Sequence, residues 1–243
     1  MNPMGWNSGE KVRFPKLYPI LDADLVFREL APRGAGTKPG TASNDRAKLL
    51  RHLVRELAHA GVEILQYRNK RDDDDGVLVD ALAIREAAES AVQPGRRRVR
   101  LILNDRAELA VAAGWDGVHV GQEDLSPQQA RLLAGPGAIV GLSTHTAEQV
   151  VTADAEPVDY VAIGPVFATA TKPDTSPVIG LEGVRRARAL TGKPLVAIGG
   201  ITRENAAAVY EAGADSVAVI SAIFGAQSSG ESVADSVRQF RPL

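Results

Sequence analysis

The chain contains no cysteine. That absence excludes disulfides, thiolate catalysis and cysteine-ligated zinc. Nor is there a surplus of positive charge: 28 Lys and Arg stand against 30 Asp and Glu, a formal net charge of −2. Without a basic field, nucleic acid is a poor default partner. No apolar run approaches the roughly 20 residues that span a bilayer. Residues 1–16 mix Asn, Gly, Glu and Lys with no continuous apolar segment, so a secretory signal is not expected. These absences predict a cytoplasmic protein with no membrane partner. Oligomeric state is left open, a homo-oligomer being compatible with the sequence.

What the chain does have is a repeated change of texture. Ile64-Leu65 gives way to Gln66-Tyr67-Arg68-Asn69-Lys70, and Leu101-Ile102-Leu103 to Asn104-Asp105-Arg106. Val118-His119-Val120 runs into Gly121-Gln122-Glu123-Asp124, and Ile139-Val140 into Gly141-Leu142-Ser143-Thr144-His145-Thr146. Tyr160-Val161-Ala162-Ile163 leads to Gly164-Pro165 and on to Thr169-Ala170-Thr171-Lys172, while Leu195-Val196-Ala197-Ile198 stops at Gly199-Gly200. Short Val/Ile/Leu runs of this kind mark strands buried on both faces, as in a parallel sheet.

Helical periodicity fills the intervals. Leu49, Leu50, Leu53, Val54 and Leu57 recur at three- and four-residue steps, predicting a helix over 45–60 that Gly61 ends. Further helices are expected over 80–92, 107–113, 147–153, 181–190 and 233–240, with Ser126-Pro127 opening one and Thr202 capping another that runs to 212. About eight strands and eight helices in 243 residues predict one α/β domain, a single (β/α)8 barrel. The barrel spans 17–243 after an N-terminal extension at 1–16. A Gly-, Pro-, Thr- and Ser-rich insertion at 31–44 reads as a flexible loop. In a parallel barrel every strand ends at the same rim, so the scattered polar clusters become the walls of one site.

Two late segments suit a phosphate. Gly199-Gly200 and Val219-Ile220-Ser221 follow the last two strands, where barrel enzymes commonly bind phosphate through backbone N–H groups. Elsewhere on the rim, Asp105 and Asp124 end consecutive strands. Neighbouring strands lie about 4.8 Å apart, so both carboxylates can reach one hard cation such as Mg²⁺, which takes its remaining ligands from water and substrate phosphates. Gln66, Arg68, Lys70 and Lys172 supply donors and positive charge suited to a departing pyrophosphate. Arg68 has an equal claim to be a salt-bridge partner inside the barrel mouth. His119 reads as a hydrogen-bonded core histidine, and His145 as a neighbour able to position Ser143. The segment 164–180 is long for a barrel connection and reads as a functional loop.

Taken in order, the motifs QYRNK at 66–70, ND at 104–105, HVGQEDL at 119–125, GLSTHT at 141–146, GPVF at 164–167, TATK at 169–172 and IGGI at 198–201 resemble the thiamine phosphate synthase family. The resemblance implies condensation of a hydroxymethylpyrimidine diphosphate with a hydroxyethylthiazole phosphate, giving thiamine phosphate and pyrophosphate. It implies that Gln66, Lys70, Asn104 and Lys172 hold the pyrimidine diphosphate, with Arg68 beside them, and that Asp105 and Asp124 bind Mg²⁺. Ser143 and Lys172 would act at the reacting centre. Thr169, Thr171, Gly200, Ile220 and Ser221 would receive the thiazole phosphate. It further implies a dissociative step, in which the pyrimidine methylene carbon ionises before the thiazole nitrogen attacks. Asn69 departs from the acid usual in the family's motif. The competing readings are a thiazole tautomerase-like isomerase, which has no need of a diphosphate site, and a non-catalytic binder of thiazole phosphate.

Overall fold

A computed structural model describes residues 14–30, 41–169, 177–225 and 231–240. Eight parallel strands close into a barrel in sequence order: β1 Leu17–Asp22, β2 Ile64–Arg68, β3 Arg100–Asn104, β4 Gly117–Val120, β5 Ile139–Thr144, β6 Tyr160–Ile163, β7 Leu195–Ile198 and β8 Ser216–Val219. The expected (β/α)8 fold is therefore the observed one. No described helix is long and apolar enough to cross a membrane.

Side chains alternate across each strand, and here both sets are buried. The outward set, including Leu65, Leu101, Val118, Val140, Val161, Leu195 and Val217, packs against the helices in one large core. The inward set forms a second core: Phe14, Tyr18, Ile20, Ile64, Ile102, Ile139, Tyr160, Ala162, Val196 and Ala218. The Phe14 ring lies 5.9 Å from the Tyr18 ring and 5.0 Å from that of Tyr160. Gly141, paired with Tyr160 in the β5–β6 register, has no alternative there. A Cβ at that position would come within 2.1 Å of the Tyr160 ring.

The rim formed by the strand N-termini is fastened by one device used three times. Asp116, Asp159 and Asp215 each precede an even-numbered strand. Their carboxylates accept the backbone N–H of Leu101, Val140 and Leu195 on the strand before, at 2.8, 2.7 and 2.8 Å. Each is also paired with an arginine: Arg98 at 2.8 Å, Arg131 at 2.5 Å and Arg188 at 2.8 Å. A rim so fastened serves stability and leaves the opposite rim free for chemistry.

Ten helices occur among the described residues, and several differ from expectation. Helix α1 (Ala23–Leu30) follows β1 directly and was not anticipated. Its first turn is satisfied by Asp22, whose carboxylate accepts Leu25 N–H at 3.1 Å. Helix α2 (Thr41–His59) begins inside the stretch read as a flexible insertion; residues 31–40 and 1–13 lie outside the described residues. Helix α3 (Asp74–Ser90) starts six residues before position 80, because Asp73 caps it by accepting Gly76 N–H at 2.9 Å. Helices α4 (Ala107–Ala112), α5 (Pro127–Ala134), α6 (Ala147–Ala155) and α7 (Gly180–Leu190) lie close to their expected places. Ser126 and Gln129 build the capping box that opens α5. Helix α8 (Ala206–Glu211) opens after Asn205 and not at Thr202, whose backbone N–H instead donates to the Asn205 side-chain Oδ1 at 2.8 Å. The four-residue α9 (Ser221–Phe224) precedes the final α10 (Val233–Gln239).

Candidate active site

The inward alternation decides what reaches the C-terminal rim. Above Ile20 and Ile64 come Asp22, Gln66 and Arg68; above Ile102 comes Asn104; His119 and Ser143 top β4 and β5. Of these, Gln66, Arg68, Asn104, His119 and Ser143, together with Thr169, Gly199, Gly200, Ile220 and Ser221, line a cavity of about 990 Å³, open mouth included. The structure thus gathers Gln66, Arg68, Asn104, Ser143, Thr169, Gly200, Ile220 and Ser221 at one site. Thr171 and Lys172 lie outside the described residues.

One end of the cavity is built from backbone. Gly199 and Gly200 have φ of 101° and 62°, the left-handed region that favours glycine. A Cβ on Gly200 would fall 2.5 Å from the Ala168 carbonyl oxygen, so only glycine brings this turn so close to the segment carrying Thr169. Directly after β8, α9 presents Ser221 in its first turn. A glycine turn after strand 7 and a short helix after strand 8 form the arrangement in which barrel enzymes hold phosphate.

Beside the cavity, past Asn104, stands a charged cluster whose members do not themselves line it. Lys70 lies past the end of β2 and forms an ion pair with Asp105. Gln66 and Arg68 share the inward face, whereas Lys70 turns toward the neighbouring strand end. Asp105 takes a left-handed φ of 64° and donates its N–H to His119 O at 2.8 Å. Its carboxyl group is hydrogen-bonded to that of Asp124, which also accepts Gly121 N–H at 2.7 Å. Burial pushes the Asp105 carboxyl above the usual range, and the Asp124 charge beside it adds to this against the pull of Lys70. Burial acts on Asp124 in the same direction, but the hydrogen bonds from Asp105 and Gly121 prevail and hold it low. Two carboxyl groups sharing a proton are close enough to share a cation. That donor set is oxygen-only and fits a hard ion. Among the described residues no cluster of three or more His, Cys, Asp and Glu could hold a metal.

Arg68 is held 2.5 Å from Asp22, the salt bridge that the sequence left as an equal alternative to substrate contact. Its other face still lines the cavity. His145 does not position Ser143; its Nδ1 lies 2.7 Å from the Gly164 carbonyl oxygen. The partner of Ser143 is His119, with Nε2 2.8 Å from Oγ. The sequence missed this pair together with Tyr18, Tyr160 and Gln122, whose amide donates to the Ser143 carbonyl. The available signal was register: a polar side chain two residues above an inward apolar one faces the cavity.

A closed (β/α)8 barrel with a phosphate-type turn, a carboxylate pair and a cavity bearing several polar side chains at its C-terminal rim has the architecture of a barrel enzyme. A family model described as thiamine monophosphate synthase matches residues 40–223, and the chain belongs to that family. It is 49% identical over 209 residues to a thiamine-phosphate synthase of Koribacter versatilis, covering 86% of this chain and 89% of that one. Against the thiamine-phosphate synthase of Methanoculleus marisnigri it is 45% identical over 173 residues, 71% and 79% of the two chains. A solved thiamine phosphate pyrophosphorylase from Pyrococcus furiosus superposes with a TM-score of 0.72 at 30% identity over 93% of each chain. The protein is accordingly a transferase of alkyl groups.

Proposed function

We propose that the protein joins a hydroxymethylpyrimidine diphosphate to a hydroxyethylthiazole phosphate, releasing pyrophosphate and leaving thiamine phosphate. The observation that carries this reading is a cavity with a phosphate-type turn in its wall and a charged cluster beside it, next to Asn104. A backbone turn suited to a monophosphate lies at Gly199-Gly200 and Ser221, and the Lys70, Asp105 and Asp124 cluster stands at the rim beside Asn104. An isomerase or a simple binder of thiazole phosphate has use for the phosphate-type turn and not for the charged cluster.

In the reaction, the bond from the pyrimidine methylene carbon to the diphosphate oxygen breaks, and a bond from that carbon to the thiazole nitrogen forms. Asp105 and Asp124 would hold Mg²⁺, which when bound neutralises charge on the diphosphate. The protein's own groups do the rest. Lys70, with Lys172 from the long loop, stabilises charge that builds on the leaving group. Asn104 and Gln66 orient the pyrimidine end, and Arg68, fixed by Asp22, borders it. Thr169, Thr171, Gly200, Ile220 and Ser221 hold the thiazole phosphate. Ser143, which lines the cavity, would act where the new bond forms. Because both reactants are gripped by their phosphates, the nitrogen and carbon are brought together without a bimolecular encounter.

The test is product formation. Purified protein given both substrates and Mg²⁺ is expected to form thiamine phosphate, resolved by chromatography. Conversion of the thiazole substrate alone to an isomer would overturn the reading in favour of a tautomerase.

A further inference from the structure

A line of hydrogen bonds crosses the barrel interior beneath the cavity. Gln66 Nε2 lies 3.1 Å from Tyr18 Oη, Tyr18 Oη 2.9 Å from Tyr160 Oη, Tyr160 Oη 2.9 Å from His119 Nδ1, and His119 Nε2 2.8 Å from Ser143 Oγ. Five strands contribute one residue each: β2, β1, β6, β4 and β5. Both phenols are buried, which pushes their pKa values well up and keeps each with its single proton.

Counting protons fixes the direction. An amide nitrogen donates and does not accept, so Gln66 donates to Tyr18. Among the described residues the only other polar side chain hydrogen-bonded to Tyr18 is Tyr160, so the buried Tyr18 hydroxyl, already accepting from Gln66, pairs its own proton only by donating to Tyr160. The Tyr160 proton then passes to His119 Nδ1, which must be bare to accept it. A neutral imidazole with a bare Nδ1 carries its proton on Nε2 and donates it to Ser143 Oγ. The Ser143 proton, displaced from that contact, points elsewhere, and Ser143 lines the cavity.

We infer that Gln66, Tyr18, Tyr160 and His119 are positioning residues: their one-way chain keeps the His119 proton on Nε2 and presents the Ser143 hydroxyl to the cavity as a donor. The matching ligand group is an acceptor, such as an aromatic ring nitrogen or a leaving-group oxygen. Only the identity of that acceptor rests on the synthase reading; the chain's direction does not. A donor held toward one reacting group costs no reorganisation when charge develops there.

The experiment uses the full chain labelled with ¹⁵N-histidine, without substrate. The His119 resonances, assigned with a His119→Gln variant, are expected to show a protonated Nε2 and a bare Nδ1. Protonation on Nδ1 alone, or on both nitrogens, would overturn the inference. Gln66→Glu replaces the donor at the head of the chain with an acceptor, so every bond should reverse and the His119 proton move to Nδ1. A merely structural role for Gln66 would not move it, and retention of the Nε2 proton there would contradict the chain. Tyr160→Phe removes the donor to Nδ1. It should lower kcat roughly 10- to 100-fold, the usual cost of losing a partner that orients a functional group, with KM for the thiazole phosphate unchanged. An unchanged kcat would show that Ser143 does not depend on the chain. If a variant fails to fold, the wild-type tautomer still decides. The expected tautomer in a protein that forms no thiamine phosphate would leave the chain standing and the proposed reaction refuted.

Discussion

The Asp105 and Asp124 carboxyl groups, from the ends of successive strands, are hydrogen-bonded to each other, with Asp105 raised by burial and Asp124 held low. A protonated carboxyl is a poor metal ligand, so Asp105 must lose its proton before both groups can bind a cation. Below the raised Asp105 pKa that proton competes with the metal; above it, both groups are ionised. Apparent Mg²⁺ affinity should therefore weaken as pH falls from neutral into the acid range, and binding at mildly acidic pH should release a proton. Mg²⁺ titrations of activity across that range, in matched buffers, check the sign. In Asp124→Ala the Mg²⁺ dependence should shift about tenfold or more while thermal stability changes little, since Asp124 is exposed on the rim.

Arg68 and Asp22 make a different prediction. Asp22 is buried, and Arg68 is its ion-pair partner. Arg68→Met should destabilise the protein by about 3–5 kcal/mol, because it leaves an uncompensated buried charge. Urea unfolding in the absence of substrate reads this directly. Unchanged stability would mean that Arg68 serves substrate alone.

These two cases show what the sequence could and could not reveal. The barrel was legible because its strands are short apolar runs followed by polar clusters, and parallel topology sends those clusters to one rim. Asp105 and Asp124 were legible as rim carboxylates because each lies in the polar cluster that follows an apolar run. Asp22 was not: it ends β1 as the residue before an unanticipated helix, and nothing local marks it as a partner for a residue 46 positions away. His119 was read as the hydrogen-bonded core histidine it is, but its line of partners through Tyr160 and Tyr18 was hidden for the opposite reason. They sit within apolar strands and look like core, and only the register that turns them inward makes them a hydrogen-bonded line. The start of α3 was obscured by four consecutive aspartates, of which the second caps the helix.

Gly200 tests the phosphate end. Its φ of 62° disfavours any side chain, and a Cβ would meet the Ala168 carbonyl oxygen. Gly200→Ala should cost about 1–2 kcal/mol of stability and raise KM for the thiazole phosphate. KM for the pyrimidine diphosphate should stay near the wild-type value. Steady-state kinetics with each substrate varied in turn distinguishes the two.

Asp159 supplies the contrast. It fastens the rim away from the site, accepting from Val140 N–H and Arg131. Asp159→Ala should destabilise the fold by about 1–3 kcal/mol and leave both KM values and the Mg²⁺ dependence intact at temperatures where the variant is folded. Altered substrate KM in the folded variant would contradict the division of the barrel into a stabilising and a reacting rim.

The most direct measurement is pyrophosphate release by the purified protein, with each substrate and Mg²⁺ omitted in turn. Release that requires all three is the predicted result. Release from the pyrimidine diphosphate without the thiazole phosphate, or none with everything present, would contradict the transfer reaction assigned to this site.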